Sequence, residues 1–270
     1  MLVWGGAVRQ ESGLSDGAAY DPVTDAWVML PEAPISGRFA HLAVWTGREM
    51  LVWGGDGASF APLLDGAAYE PAGDAWRPMS VSPFASSQGK RAVWTGEELI
   101  IWGGCPEPEG AAYDPVTDDW RGLSRSPLNG RLNPFAFWSG REMVVWGGFG
   151  DPTGITGCGD GGSYLFDGDA YDPAAETWRE LAGPPVQGKW AVWTGEEMFV
   201  WGFCGEAVAA SYDPDADAWR VLTADPVLGN TFHETVWTGG EALVWGGTIF
   251  EGCGNESPVA GQAEGARYIP

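Results

Sequence analysis

Basic residues are scarce in this chain. Its 270 residues hold 14 lysines and arginines against 37 aspartates and glutamates, a formal net charge of −23. Nucleic acid and anionic membrane surfaces both require a basic footprint, so no nucleic-acid partner is expected. Histidine is scarcer still, with His41 and His233 the only two. Four cysteines, Cys105, Cys158, Cys204 and Cys253, include no Cys-X-X-Cys spacing, which removes the zinc-ribbon and dithiol-redox readings. No stretch approaches the roughly 20 consecutive apolar residues of a membrane span, so no membrane insertion is expected. Convincing 3.6-residue periodicity is missing as well, and 42 glycines with 20 prolines would interrupt helices. Asp213-Pro214-Asp215-Ala216-Asp217 has carboxylates spaced as in a calcium loop, without the glycine and closing glutamate such a loop needs. Neither a metal nor a cofactor is expected.

What the chain has in abundance is repetition. One phrase recurs six times: Leu2 to Gly6 (Leu-Val-Trp-Gly-Gly), Leu51 to Gly55, Ile100 to Gly104, Val144 to Gly148, Val200 to Phe203 and Leu243 to Gly247. Each copy is followed by Tyr-acid-Pro, at Tyr20, Tyr69, Tyr113, Tyr171 and Tyr212, with a degenerate Tyr268-Ile269-Pro270. Seven positions beyond the first five tyrosines stands a tryptophan: Trp27, Trp76, Trp120, Trp178 and Trp219. A Trp-Thr/Ser-Gly closes the cycle at Trp45, Trp94, Trp138, Trp193 and Trp237, at intervals of 49, 44, 55 and 44 residues. Short β-branched and aromatic runs such as Leu42 to Trp45 and Met50 to Trp53, bounded by Thr46-Gly47 and Gly54-Gly55, read as strands. In Asp21-Pro22-Val23-Thr24-Asp25, proline presets the turn and the acid and threonine can satisfy turn N–H groups, so Tyr20 and Trp27 flank a hairpin. The chain is predicted to be all-β, with four strands per unit.

Periods of this size mark propellers and solenoids, and the order hydrophobic strand, Gly-Gly, Tyr, Trp resembles the kelch repeat. Arg38…His41, the Arg-x-x-His that often opens a kelch unit, adds to the resemblance. It implies a six-bladed kelch-like β-propeller, and we assign residues 1–270 to that single domain. Sixteen of the 17 tryptophans occupy repeat positions, Trp190 being the exception, so their expected role is packing between blades. Counted by type, the chain holds 22 strands, one outer and one inner strand short of six full blades. Met1 occupies the place that Met50, Met143 and Met198 occupy in their repeats, just ahead of the second strand. The expectation is an N-terminally truncated chain, whose natural form carries an upstream segment that supplies both strands and closes the ring.

Candidate functional residues fall where the repeats disagree. The residue four before the Trp-Thr/Ser-Gly tryptophan is His41, Lys90, Pro134, Lys189 or His233, and the residue seven before it is Arg38, Ser87, Arg131, Val186 or Asn230. Innermost propeller strands line the channel, so Arg38, His41, Lys90, Arg131, Lys189 and His233 are expected at one channel entrance. There they either form a funnel for an anionic or carbohydrate ligand or brace adjacent blades through hydrogen bonds. The same face carries two long loops, with Ile155, Tyr164 and Phe166 in one and Ile249 and Phe250 in the other; loops longer than about 12–15 residues are commonly functional. All four cysteines share that face in four successive blades. Of the three pairings, Cys105–Cys158 with Cys204–Cys253 keeps both bridges between adjacent blades, and disulfides would place the protein outside the cell or in a periplasm. The opposite face collects glutamates and aspartates of the turns and is expected to be acidic.

No catalytic residues are assigned. The expected function is a non-catalytic binding module, monomeric, whose partner is a protein or a small anionic or carbohydrate ligand. Two alternatives stay open. A carbohydrate-active enzyme resembling kelch-type sialic acid epimerases would hold its sugar carboxylate with an arginine such as Arg38 or Arg131. A purely structural module of a larger surface protein would use neither.

Overall fold

Each apolar run bounded by turn residues folds as a strand, and consecutive strands pair with their neighbours. A computed structural model describes residues 1–8, 13–84, 89–105, 108–154, 158, 162–188, 190–203, 206–222, 230–231, 234–245, 248–250, 258–261 and 265–268. Among them there is no α-helix, only a 3-10 turn at Ala58–Phe60. In the second repeat, Leu42–Trp45, Met50–Trp53, Gly66–Glu70 and Ala75–Met79 form a four-stranded antiparallel sheet in chain order. The third repeat does the same with Lys90–Trp94, Leu99–Gly103, Glu109–Asp114 and Asp119–Gly122. So does the fifth, with Trp190–Trp193, Met198–Phe203, Glu206–Asp213 and Ala218–Leu222. The fourth supplies Phe135–Trp138, Met143–Trp146, Gly168–Asp172 and Thr177–Glu180.

Among the described residues the first and sixth repeats give three-stranded sheets. Leu2–Trp4, Gly17–Asp21 and Ala26–Met29 are the second to fourth strands of the first repeat. Glu234–Trp237, Ala242–Trp245 and Gly265–Tyr268 are the first to third strands of the sixth. Several four-stranded antiparallel sheets of this kind are consistent with a β-propeller-like fold. The chain divides into two units, one of residues 1–143, 149–163 and 172–178, the other of 144–148, 164–171 and 179–270.

Burial follows strand position. The second strands are apolar on both faces because both faces are covered: Met50–Trp53 and Leu99–Gly103 are buried throughout. Third strands carry alanine where neighbouring sheets approach, and Ala67, Ala68, Ala111 and Ala112 are at most 1 % exposed. Gly66 opens the third strand of the second repeat because a Cβ there would lie 2.5 Å from the Val52 carbonyl oxygen.

Within the first unit, adjacent sheets are fastened by the two tryptophans of each repeat. The second-strand Trp53 packs on the fourth-strand Trp120 of the next repeat at 5.3 Å between ring centres, as Trp4 does on Trp76 at 5.8 Å and Trp102 on Trp178 at 5.6 Å. The fourth-strand indoles donate backwards, Trp76 to Pro31 O at 3.0 Å, Trp120 to Ser80 O at 3.0 Å and Trp178 to Ser124 O at 2.9 Å. The second unit repeats both contacts, with Trp146 on Trp219 at 5.0 Å and the Trp219 indole on Ala182 O at 2.7 Å. A buried aromatic pair is worth about 0.5–1.5 kcal/mol beyond its area, and the hydrogen bond about another 1.

The Tyr-Asp-Pro hairpin owes its spacing to one residue in the left-handed region. Asp25, Asp74, Asp118, Glu176 and Asp217 have φ between 47° and 59°, a conformation that short polar side chains tolerate best. From there Asp118 accepts a hydrogen bond from the Tyr113 hydroxyl at 2.6 Å and another from Ser80 N of the preceding repeat at 2.9 Å. Tyr69 with Asp74, and Tyr212 with Asp217, repeat the hydroxyl contact at 2.8 and 2.6 Å. Burial alone would raise the Asp118 carboxyl, but the Tyr113 hydroxyl, the Ser80 N–H and the Arg77 charge outweigh it and hold it below its ordinary 3.8.

Asp118→Ala is therefore expected to cost about 1–3 kcal/mol, read as a lower urea midpoint at unchanged slope. A carboxyl depressed in the folded state stabilises fully above its ordinary value, and this contribution is lost as pH falls through the folded one. Between pH 5 and pH 3 the wild type should consequently lose more stability than Asp118→Ala.

Candidate functional site

The residue seven before the Trp-Thr-Gly tryptophan sits where one repeat hands over to the next. Arg38 N donates to Leu14 O and Gly6 N donates to Arg38 O, tying its backbone to the Gly-Gly loop of the first repeat. Its guanidinium turns the other way, into the second repeat. Nη1 donates to Gly54 O and Asp65 O, both at 3.0 Å, Nη2 pairs with the Asp65 carboxylate at 2.9 Å, and the side chain is fully buried. Gly54 ends the second strand and Asp65 precedes the third, so one cation bridges the mouth of that loop.

Lys90 makes the same contacts from a different register. Standing four residues before Trp94, it donates through Nζ to Gly103 O and Glu109 O, both at 3.2 Å, with the Glu109 carboxylate at 3.8 Å. Gly103 and Glu109 are the third-repeat counterparts of Gly54 and Asp65. Only 3 % of Lys90 is exposed. Arg131, at the Arg38 position of the fourth repeat, is also fully buried, bridges its backbone to Gly104 of the third and donates Nε to Asn129 O at 3.1 Å, as Arg38 donates to Ser36 O.

An open cationic funnel is thus not what Arg38, Lys90 and Arg131 form: all three point into backbone carbonyls rather than solvent, and adopt the bracing arrangement. A buried cation surrounded by carbonyl oxygens and one carboxylate is satisfied locally, and leaving those carbonyls unpaired would be costly. His41 is no cation at neutral pH either. Burial first, and then the neighbouring Arg38 charge, push its imidazole below its ordinary value, and it packs edge-on against Trp4 at 5.5 Å. Lys189 and His233 lie outside the described residues.

Cys105 and Cys158 are joined by a disulfide with Cα atoms 5.9 Å apart, linking the Gly-Gly loop of the third repeat to the long loop of the fourth. Beside it, Arg131–Leu132 pairs antiparallel with Phe149–Gly150, the first residues of that long loop. Cys204 and Cys253 lie outside the described residues, as does Ile155. Tyr164 is 40 % exposed, in the short strand Ser163–Tyr164, and Phe166 is half-buried. In the sixth repeat, Ile249 and Phe250 belong to the strand Thr248–Phe250, which lies between Asn230–Thr231 and Pro258–Gly261 in a small antiparallel sheet. Both long loops therefore contribute regular backbone.

At the opposite end of the sheets the acidic turns are largely paired, which sequence reading did not foresee. Arg77 chelates Glu49 at 2.7 and 3.2 Å and donates to the Tyr113 hydroxyl at 3.2 Å, and Arg121 pairs with Glu98 at 2.6 Å. Arg220 pairs with Glu197 at 3.0 Å. The signal was available: each arginine follows the fourth-strand tryptophan. A groove of about 840 Å³ opens there between the second and third repeats, lined by Arg48, Glu49, Arg77, Trp94, Glu97 and Asp114 among others. The calcium-like acids are committed elsewhere. Asp213 accepts from Asp215 N and Ala216 N, and Asp217 from Tyr212, Arg179 and Ala182 N. Among the described residues no three His, Cys, Asp or Glu side chains group as a metal site.

Arg38→Ser should lower the melting temperature by several degrees, and adding His41→Lys, which recreates the third-repeat arrangement, should restore most of the loss. Additive losses in the double variant would refute a shared seat for the two positions. Cys105→Ser removes a closure spanning 53 residues and should cost about 2–4 kcal/mol in non-reducing urea melts, a difference that a reductant abolishes. Compared with models of protein families and with curated proteins, the chain matches none.

Proposed function

We propose that this chain is a six-bladed kelch-like propeller, exported to an oxidising compartment, that acts as a non-catalytic binding module through the loops on its channel face. One observation carries the reading: the described parts of the longest loops are anchored by regular pairing or a disulfide. One is stapled by Cys105–Cys158 and laddered to Arg131–Leu132, and the other contributes two strands to a small sheet. Anchoring a loop at its ends lowers the entropy lost on binding, which favours a recognition surface. The disulfide supports the oxidising compartment.

Trp27, Val28 and Met29 of the first repeat are 55–66 % exposed, and Trp245 of the sixth is 66 % exposed. The second-strand counterparts of Trp245, namely Trp53, Trp102 and Trp146, are at most 1 % exposed, and the fourth-strand counterparts of Trp27, namely Trp76, Trp120, Trp178 and Trp219, are half-buried. The commitment of Arg38, Lys90 and Arg131 to carbonyls shifts the expected ligand from a small anion towards a protein. It also weakens the sialic acid epimerase alternative, because Arg38 and Arg131 are buried away from any sugar carboxylate.

Screening the chain against glycan and peptide panels should return peptide or protein ligands. Binding should fall at least tenfold in Tyr164→Ala and on reduction of Cys105–Cys158, and remain unchanged in Glu97→Gln at the opposite end of the sheets. A ligand indifferent to the first two changes would overturn the reading.

A further inference from the structure

The turn joining the first strand of a repeat to the second brings one residue to the acid of the Tyr-acid-Pro hairpin. In the second repeat that residue is Arg48, whose Nε donates to the Glu70 carboxylate at 2.6 Å. In the fourth it is Arg141, which donates to the Asp172 carboxylate at 3.3 and 3.4 Å. Asp172 divides its oxygens between two tasks: Oδ1 accepts from Ala174 N and Ala175 N inside the turn, and Oδ2 receives the arginine. The hairpin thus carries a seat for a guanidinium, which these two repeats fill from their own chain.

The third repeat keeps the seat and loses the arginine. Asp114 Oδ1 accepts from Val116 N at 2.7 Å and Thr117 N at 3.4 Å, just as Asp172 Oδ1 serves its own turn. The position of Arg48 and Arg141 is held by Glu97, so a second carboxylate stands where the cation should be. Among the described residues neither the Asp114 nor the Glu97 carboxylate has a lysine or arginine within 4 Å. Both acids line the groove of about 840 Å³ between the second and third repeats, together with the half-buried Trp94 and with Val116, which is 90 % exposed. The other charges there are answered: Arg77 by Glu49, Arg48 by Glu70 and Glu98 by Arg121. The groove is therefore left with two uncompensated carboxylates beside an aromatic wall.

We propose that this groove is a docking site for an arginine-bearing segment of a partner polypeptide. The partner's guanidinium takes the seat that Arg48 and Arg141 fill in their own repeats, donating to Asp114 Oδ2, the oxygen equivalent to the one Asp172 gives to Arg141, and to the Glu97 carboxylate. A planar guanidinium can donate to two carboxylates at once through a fixed fork, which an ammonium lacks, so arginine is preferred to lysine. Trp94 adds an aromatic surface that favours a cation beside it. A groove of this volume is the size of a whole ligand pocket and exceeds what one side chain fills, which favours an extended segment over a lone small cation. A basic partner also suits a chain of net charge −23. The groove lies at the end of the sheets opposite the channel-face loops and does not depend on the reading given to them.

The test screens a library of capped pentapeptides with a central arginine against the whole chain carrying Glu196→Arg. That substitution fills the corresponding position of the fifth repeat, where Glu196 and Asp213 are the equivalent acids, and leaves the groove to report alone. By calorimetry the tightest peptide should bind at least tenfold more weakly once its arginine is replaced by citrulline, a neutral isostere. It should also bind at least tenfold more weakly when Glu97→Arg is added, a change that installs the arrangement of the second and fourth repeats and should not lower the melting temperature. Equal affinity of the arginine and citrulline peptides, indifference to Glu97→Arg, or a library without a binder would overturn the proposal. Methylguanidinium binding as tightly as the best peptide would assign the seat to a small cation and overturn the polypeptide partner.

Discussion

Sheets that are individually marginal are made into an array by one recurrent contact, the fourth-strand tryptophan reaching back to the preceding repeat. A lone four-stranded antiparallel sheet with both faces apolar cannot be stable in water, because each face needs a cover. Trp120 supplies part of that cover by packing on Trp53, and fixes its depth by donating its indole N–H to Ser80 O. Stacking sets the spacing between sheets and the hydrogen bond sets their register. The Tyr113–Asp118 hairpin contact holds this tryptophan in place, since Asp118 also binds Ser80 N and the Tyr113 ring packs on Trp120 at 5.0 Å. Second strands buried on both faces, alanine-rich third strands and the Arg–Glu pairs at the turns all presuppose neighbours held at this distance.

The two ends of each sheet solve opposite electrostatic problems. At the turn end, carboxylates sit near solvent and are answered by arginines that remain partly exposed, as in Arg77–Glu49, so these pairs contribute modestly and are sensitive to salt. At the loop end, the Gly-Gly bend leaves carbonyl oxygens buried or half-buried beside a carboxylate. A buried cation is the economical answer there, because one guanidinium or ammonium satisfies two carbonyls and a carboxylate at once. A protein with few basic residues thus places three of them, Arg38, Lys90 and Arg131, where almost none of their charge is seen from outside.

Much of this was legible in the sequence, and the remainder fails for a definable reason. Strands such as Met50–Trp53, the Tyr-acid-Pro hairpins and the packing role of the repeat tryptophans follow from period and turn chemistry, which are local properties, whereas the Cys105–Cys158 pairing is preferred among three because it bridges adjacent repeats. Where Arg38 and Lys90 point does not follow from either. Spacing places them on the innermost strand but says nothing of which way a long side chain turns, and burial of a charge depends on carbonyls thirteen to twenty-seven residues away. One clue lay in the repeats themselves. Where the position seven before the tryptophan holds arginine, the position four before it holds His41 or Pro134; where it holds Ser87 or Val186, lysine appears. Mutually exclusive cations argue for one shared acceptor, whereas a funnel would tolerate both.

That exclusivity has an evolutionary consequence. Because two backbone positions three residues apart can each deliver a cation to the same carbonyls, a repeat can gain the second before losing the first, and never pass through a state with the loop unsupported. Neighbouring units can then drift to different solutions while their backbones stay superimposable. Divergence inside such an array, when it trades one donor for another, measures the tolerance of the architecture rather than the demands of a ligand.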